Sequence, residues 1–143
     1  MYNRRPGSKL VSLPITDCLP STFEVVSARL EVSQYRGVVV VIYRPGSQAI
    51  QPAFFTELVA VFDVVATFRE PVFITGDLNI RLDRPDVQLN DLVASYRFVI
   101  SRTTPTHRRG GTLDVVISRP NSSFAAPTVR SRDVGLSDYT QLE

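Results

Sequence analysis

Apolar residues follow three rhythms along this chain, and each rhythm predicts a different element. Between Phe23 and Val32 they alternate, with Val26, Ala28, Leu30 and Val32 on one face and Ser27, Arg29 and Glu31 on the other. That period of two predicts a half-buried strand with its valine-rich face inward. From Gly37 the run VVVVIY is continuously β-branched up to Tyr43, the pattern of a central strand. Ser33 to Arg36 lies between the two and predicts a hairpin. Gln51 to Phe68 changes period: Phe55, Leu58, Val59, Phe62, Val65 and Ala66 recur at helical spacing, with Pro52 in the first helical position. Pro71 enforces the end of that helix. Val72, Phe73 and Ile74 then form a second buried strand, which Gly76 breaks. The order strand, helix, strand over 38–43, 52–68 and 72–75 predicts a crossover that lays the second strand beside the first. Tyr43 and the residues after Gly76 therefore emerge at the same edge.

The later elements are shorter. Asp86 to Ala94 predicts a helix with Asp86 as N-cap, Phe98 to Ile100 a brief strand, and Leu113 to Ile117 another buried strand with Asp114 near its start. Thr103 to Gly111 and Asn121 to Ala126 read as a loop and a turn. Thr128 to Arg132 alternates weakly, and Tyr139 to Leu142 starts a last strand. The stretch 1–21 is polar and proline-punctuated, a poorly structured lead-in with room for one edge strand at Leu10-Val11.

At 143 residues, 43% of them hydrophobic, the chain is one domain or a piece of one, with a composition suited to an α/β core. No apolar run is long enough to span a bilayer and MYNRRPGSKL lacks the core of a signal peptide, so no membrane partner is expected. Cys18 and His107 are the only residues of their kinds, which provides neither an internal disulfide nor a zinc constellation. An intracellular, reducing setting is expected. The net charge of +2 conceals an uneven distribution: Arg97 to Arg132 holds seven arginines and one acid, Asp114. The planar guanidinium fork suits phosphate oxygens, so a polyanionic partner fits, and a solvated surface fits as well.

Chemistry concentrates in PVFITGDLNI, residues 71–80. An acid and an amide two residues apart, just past a buried strand, are held by a rigid scaffold at a cleft edge. Asp77 is suited to orient or deprotonate a water, and Asn79 to donate a hydrogen bond to an oxyanion. The same pair also fits an Asx-type turn whose side chains only cap backbone groups.

Taken in order, the segments VIYRPG, GDLN, THRRGGTLD and LSDY resemble the endonuclease/exonuclease/phosphatase superfamily. The nearest pattern is the apurinic-type endonuclease domain of LINE-type non-LTR retrotransposons. The resemblance covers nearly the whole chain from about Phe23, and the ordered set is more specific than any one motif. It implies an α/β fold, a two-sheet sandwich flanked by helices (DNase I-like), here incomplete. It also implies a metal-dependent phosphodiesterase acting on DNA. Asp77 would activate the attacking water, Asn79 and Tyr43 would steady phosphate oxygens, and Asp114 would orient a histidine. Asp138 would help to hold magnesium, while Thr106, Arg108, Arg109 and Arg44 would lie on the nucleic-acid face.

Two departures bear on activity. Ser137-Asp138-Tyr139 places tyrosine where the family has histidine, and a neutral phenol does not supply an imidazolium's charge. The family's upstream asparagine and metal-binding glutamate are expected to be missing, since Glu24 and Glu31 lie in the strand before VVVVIY. The last strand is expected to be cut short. The sequence accordingly supports three functions: an impaired phosphodiesterase, a catalytically dead nucleic-acid-binding module, or a retroelement remnant. The setting is nuclear if the chain functions and cytoplasmic otherwise.

Overall fold

The computed structural model describes residues 7–15, 17, 19–80, 87–101, 114–119, 131–132 and 141–142. Among the described residues ten elements follow one another: β1 (Ser8–Ser12), β2 (Glu24–Val32), β3 (Tyr35–Tyr43), α1 (Pro52–Val65), β4 (Val72–Asp77), α2 (Val87–Ser95), β5 (Val99–Ser101), β6 (Asp114–Ser118), β7 (Ser131–Arg132) and β8 (Gln141–Leu142). Six strands form one mixed sheet in the order β1-β2-β3-β4-β6-β5, and β7 pairs with β8 in a separate two-stranded sheet. Among the described pairs β3 and β4 run parallel, since the crossover through α1 returns the chain in the same direction, whereas the short turn at Ser33-Gln34 makes β2 and β3 antiparallel. The strand expected at Leu10-Val11 exists as β1, at the edge of the sheet beside β2.

One face of the sheet carries the core. Val38, Val40 and Ile42 of β3, Val72 and Ile74 of β4, and Val115 and Ile117 of β6 pack with Phe54, Leu58, Val61, Phe62 and Val65 of α1. Phe62 meets Phe98 edge-on at 5.3 Å between ring centroids. The helix stripe is rotated from the predicted one. Phe54 and Val61 are buried, while Phe55 and Val59 are only partly so, because an apolar pair at 54/55 leaves the sheet to choose between adjacent faces.

β2 departs further from its pattern. Ser27 is buried on the helix side and Val26 is 70% exposed on the other, the reverse of the expected orientation. Of the inward polar residues Ser27 is hydrogen-bonded, while Arg29 Nε makes an ion-pair contact without a hydrogen bond. The Ser27 hydroxyl donates to the Leu13 carbonyl, and Arg29 Nε lies 3.2 Å from Glu70 Oε1. The outward face carries Leu10, Val26, Val32, Val41 and Tyr43, all substantially exposed.

Two polar clamps tie the ends of α1. At its C-terminal end Arg119, just after β6, donates to the carbonyls of the C-cap Ala66 (3.2 Å) and of Phe68 and Glu70 (3.1 Å) in the segment that leads to β4. On the first turns Glu57 accepts four hydrogen bonds, from the amides and hydroxyls of Ser21 and Thr22, at 2.5–3.0 Å. Burial works to raise the Glu57 carboxyl, but the hydrogen bonds from Thr22 and Ser21 outweigh it and bring the pKa from 4.5 down to about 2. The Asp86 cap, Cys18 and the loops at 103–111 and 121–126 lie outside the described residues.

Gly76 lies inside β4 rather than ending it, at φ +136°, and a Cβ there would stand 1.9 Å from the Ile42 carbonyl oxygen. Gly76→Ala is therefore expected to separate the parallel pair and cost about 3 kcal/mol or more, read by chemical denaturation. A second expectation follows from Glu57. Because its folded pKa is depressed, its stabilisation is complete above the unfolded value of 4.5 and is lost as pH falls towards about 2. Thermal melts of the wild type should decline through that window more steeply than those of Glu57→Gln.

Candidate active site

Backbone register assembles the site. In the parallel pair Tyr43 stands opposite Asp77, and in the antiparallel pair Asp77 stands opposite Asp114. Directly paired residues share a face of the sheet, so residues 43, 77 and 114 form one rung at its rim, on the face away from the helices. Glu24 continues this rung on the far side of Tyr43. Its position in the strand before VVVVIY argues against a ligand role, and the strand register alone reveals its place beside Tyr43. Tyr43 is 48% exposed.

The loops leaving β3 and β4 are fastened to one another. The Arg44 amide donates to the Asp77 carbonyl at 2.9 Å, which extends the parallel pairing by one step. Asn79 has φ +51°, a left-handed conformation that asparagine adopts more readily than most residues. Its amide donates to Asp77 Oδ1 at 2.8 Å, the Asx-type turn that the sequence allows, and this fixes the rotation of the Asp77 carboxylate. Its side-chain Nδ2 donates to the Arg44 carbonyl at 2.6 Å. An amide nitrogen carries two hydrogens, so this contact uses one and leaves a second for an oxyanion. Capping and chemistry are thus compatible in the same residue.

Arg44 corrects an expectation. Its side chain is not on a substrate face: the residue is 5% exposed. Nε donates to the Leu78 carbonyl at 2.6 Å, Nη1 to those of Gln48 (2.9 Å) and Pro45 (3.3 Å), and Nη2 to that of Asn79 at 2.9 Å. The guanidinium carbon lies 5.9 Å from the centroid of the Phe54 ring. An arginine directly after an exposed strand end reads as a surface cation, and two of the four carbonyls that enclose it, those of Leu78 and Asn79, come from a loop remote in sequence.

Thr106, Arg108, Arg109, Asp138 and Tyr139 lie outside the described residues, and Asp114 is described by its backbone alone. Among the described residues no group of three or more His, Cys, Asp or Glu side chains is arranged to hold a metal ion. No helix among them is long and apolar enough to cross a membrane.

Known proteins resemble this chain in family and fold. The model of the Endonuclease/Exonuclease/phosphatase family matches residues 7–138. The endonuclease domain of TRAS1, a telomere-specific non-LTR retrotransposon, superposes with a TM-score of 0.66 at 11% identity, over 96% of this chain and 77% of that one. The inositol polyphosphate 5-phosphatase domain of SPsynaptojanin, solved with inositol (1,4)-bisphosphate and calcium ion, gives 0.59 at 13% identity, over 96% and 54%. TDP2 from D. rerio, complexed with single-strand DNA product, gives 0.54 at 13%, over 88% and 56%. At such identities the likeness is one of fold, and the chain spans about half the length of the last two. No curated protein sequence matches it.

Gly46 offers a way to disturb the site alone. A Cβ on it would meet Asn79 Oδ1 at 2.6 Å and Cγ at 2.8 Å, both in a side chain that is able to rotate away. Gly46→Ala is expected to expel the Asn79 side chain while costing at most about 1 kcal/mol of stability. Denaturation together with the NMR signal of the Asn79 side-chain amide checks both halves.

Proposed function

Because the chain belongs to the endonuclease/exonuclease/phosphatase family, we propose that the rung of Tyr43, Asp77 and Asp114 is a phosphodiester-cleaving site of the retrotransposon-endonuclease type. DNA is its substrate and a divalent cation, magnesium by its hard-oxygen chemistry, its cofactor. The observation that carries the reading is the register: three chain-distant residues with oxygen-bearing side chains occupy one rung. Asn79 is fastened two residues beyond it. The fold likeness to the TRAS1 endonuclease domain and to TDP2 in its DNA complex supports the choice of substrate.

Each residue has a role within this reading. Asp77, its rotation fixed by the Asn79 amide, accepts a proton from the attacking water. The second Nδ2 hydrogen of Asn79 and the phenol of Tyr43 donate to phosphate oxygens as charge builds on them. The oxygen donors at residues 77, 114 and 138 suit a hard cation, which when bound draws charge from the phosphoryl oxygens. The set is sparse, and Tyr139 brings a neutral phenol where an imidazolium would add charge. The reading therefore includes a rate well below that of the family, since losing one electrostatic contributor costs about a hundredfold or more. Activity on DNA implies a nuclear setting.

The test is nicking of supercoiled and abasic DNA with magnesium, comparing the unmodified chain with Asp77→Ala. The expected result is slow nicking that falls to background in the variant. Fast nicking lost in Asp77→Ala would refute the reduced rate, and nicking that survives the substitution would refute the site. Salt-dependent DNA binding without any nicking would leave a binding module in place of an enzyme.

A further inference from the structure

We infer that Arg44 is the positioning residue of this site: its buried guanidinium sets the geometry in which Asn79 and, through it, Asp77 meet the phosphodiester. The inference rests on the phosphodiesterase reading of those two residues. Arg44 stands behind them and touches no reacting atom.

A guanidinium withdrawn from water is costly unless its donors are satisfied. Among the described residues Arg44 pairs with no carboxylate, and its hydrogen bonds go to main-chain carbonyls of two separate loops. Pro45 and Gln48 belong to the loop after β3, Leu78 and Asn79 to the loop after β4. Asn79 returns the contact from its own side chain to the Arg44 carbonyl. Residues 44 and 79 thus hold each other, side chain to main chain, in both directions.

The second loop depends on this support. Asn79 has a positive φ, a conformation that asparagine tolerates better than other non-glycine residues and that contacts on both sides of it hold in place here. The chain of contacts runs from the guanidinium to the Asn79 carbonyl, across that residue to its amide, and from the amide to Asp77 Oδ1. Removing the fork releases the Asn79 peptide, and with it the orientation of both functional side chains. Only a planar fork reaches carbonyls on both loops. A lysine ammonium carries the same charge but concentrates its three donors at one atom, and methionine keeps only the packing over Phe54.

The test uses the full chain with Arg44→Lys and Arg44→Met. Two-dimensional NMR follows the Asn79 side-chain amide and the amides of Arg44 and Asn79. Hydrolysis of bis(4-nitrophenyl) phosphate with magnesium gives kcat and KM. In the wild type these amides should exchange at least tenfold more slowly than exposed ones. In both variants the amides of Val40 and Ile74 should keep their positions, while the Asn79 side-chain amide shifts and exchanges at least tenfold faster. kcat should fall at least tenfold with KM within about twofold.

Rapid exchange of these amides in the wild type, or an unchanged Asn79 signal in folded Arg44→Lys, overturns the inference. Global unfolding of both variants does so too, because it assigns Arg44 to core stability. If hydrolysis proves independent of Asp77, the phosphodiesterase reading falls by itself and the amide signals still decide whether Arg44 positions the loop.

Discussion

The structure turns on the clasp between residues 44 and 79. A buried guanidinium has a fixed set of donor directions, and here they converge on carbonyls of the two loops that follow the parallel strands β3 and β4. Parallel strands deliver their C-terminal ends to the same rim, which is where open α/β sheets place their sites. Delivery alone leaves the following loops free to diverge. The Arg44 fork and the Asn79 amide remove that freedom, and Gly46 leaves the room in which the Asn79 side chain lies. Gly76 acts one step earlier, letting β4 approach β3 closely enough for the rung to form.

Much of this architecture was legible in the sequence because it follows from period and punctuation. The VVVVIY run, the helix opened by Pro52 and the strand behind Pro71 fix the strand-helix-strand crossover, and the crossover predicts that Tyr43 and Asp77 share an edge. β2 was legible as a strand but not in its orientation. Alternation separates two faces without saying which one meets the core, and the inward polar positions lie against Leu13, by a hydrogen bond, and Glu70, by an ion-pair contact, neighbours invisible locally. Gly76 reads equally well as a strand breaker or as a point of close approach, and only the neighbouring strand decides. Arg44 was legible as part of a motif and misplaced in space, since burial of an arginine depends on carbonyls supplied by a loop 34 residues away.

The two faces of the sheet are unequal. The helix side is filled by aliphatic and aromatic side chains, with Ser27 hydrogen-bonded among them. The other face presents Leu10, Val26, Val32, Val41 and Tyr43, with the rung at its rim. Arg119 sits in the arginine-rich third of the chain, yet it is committed to the carbonyls after α1. It adds to the fold what it withholds from any polyanion. Local arginine density therefore overstates the charge available to a phosphate backbone.

The rung also has a kinetic meaning. Residues 43, 77 and 114 are remote in sequence, and the pairing that joins the first two is parallel. Closing such long loops costs entropy before any contact rewards it, so pairings of this kind form late and slowly compared with a hairpin. The β2–β3 hairpin and α1 are able to form from local contacts, but neither contains a complete site. The residues proposed to cut a phosphodiester come together only as the sheet closes. A chain still emerging from the ribosome therefore carries no assembled rung, and the proposed site arrives together with the native state.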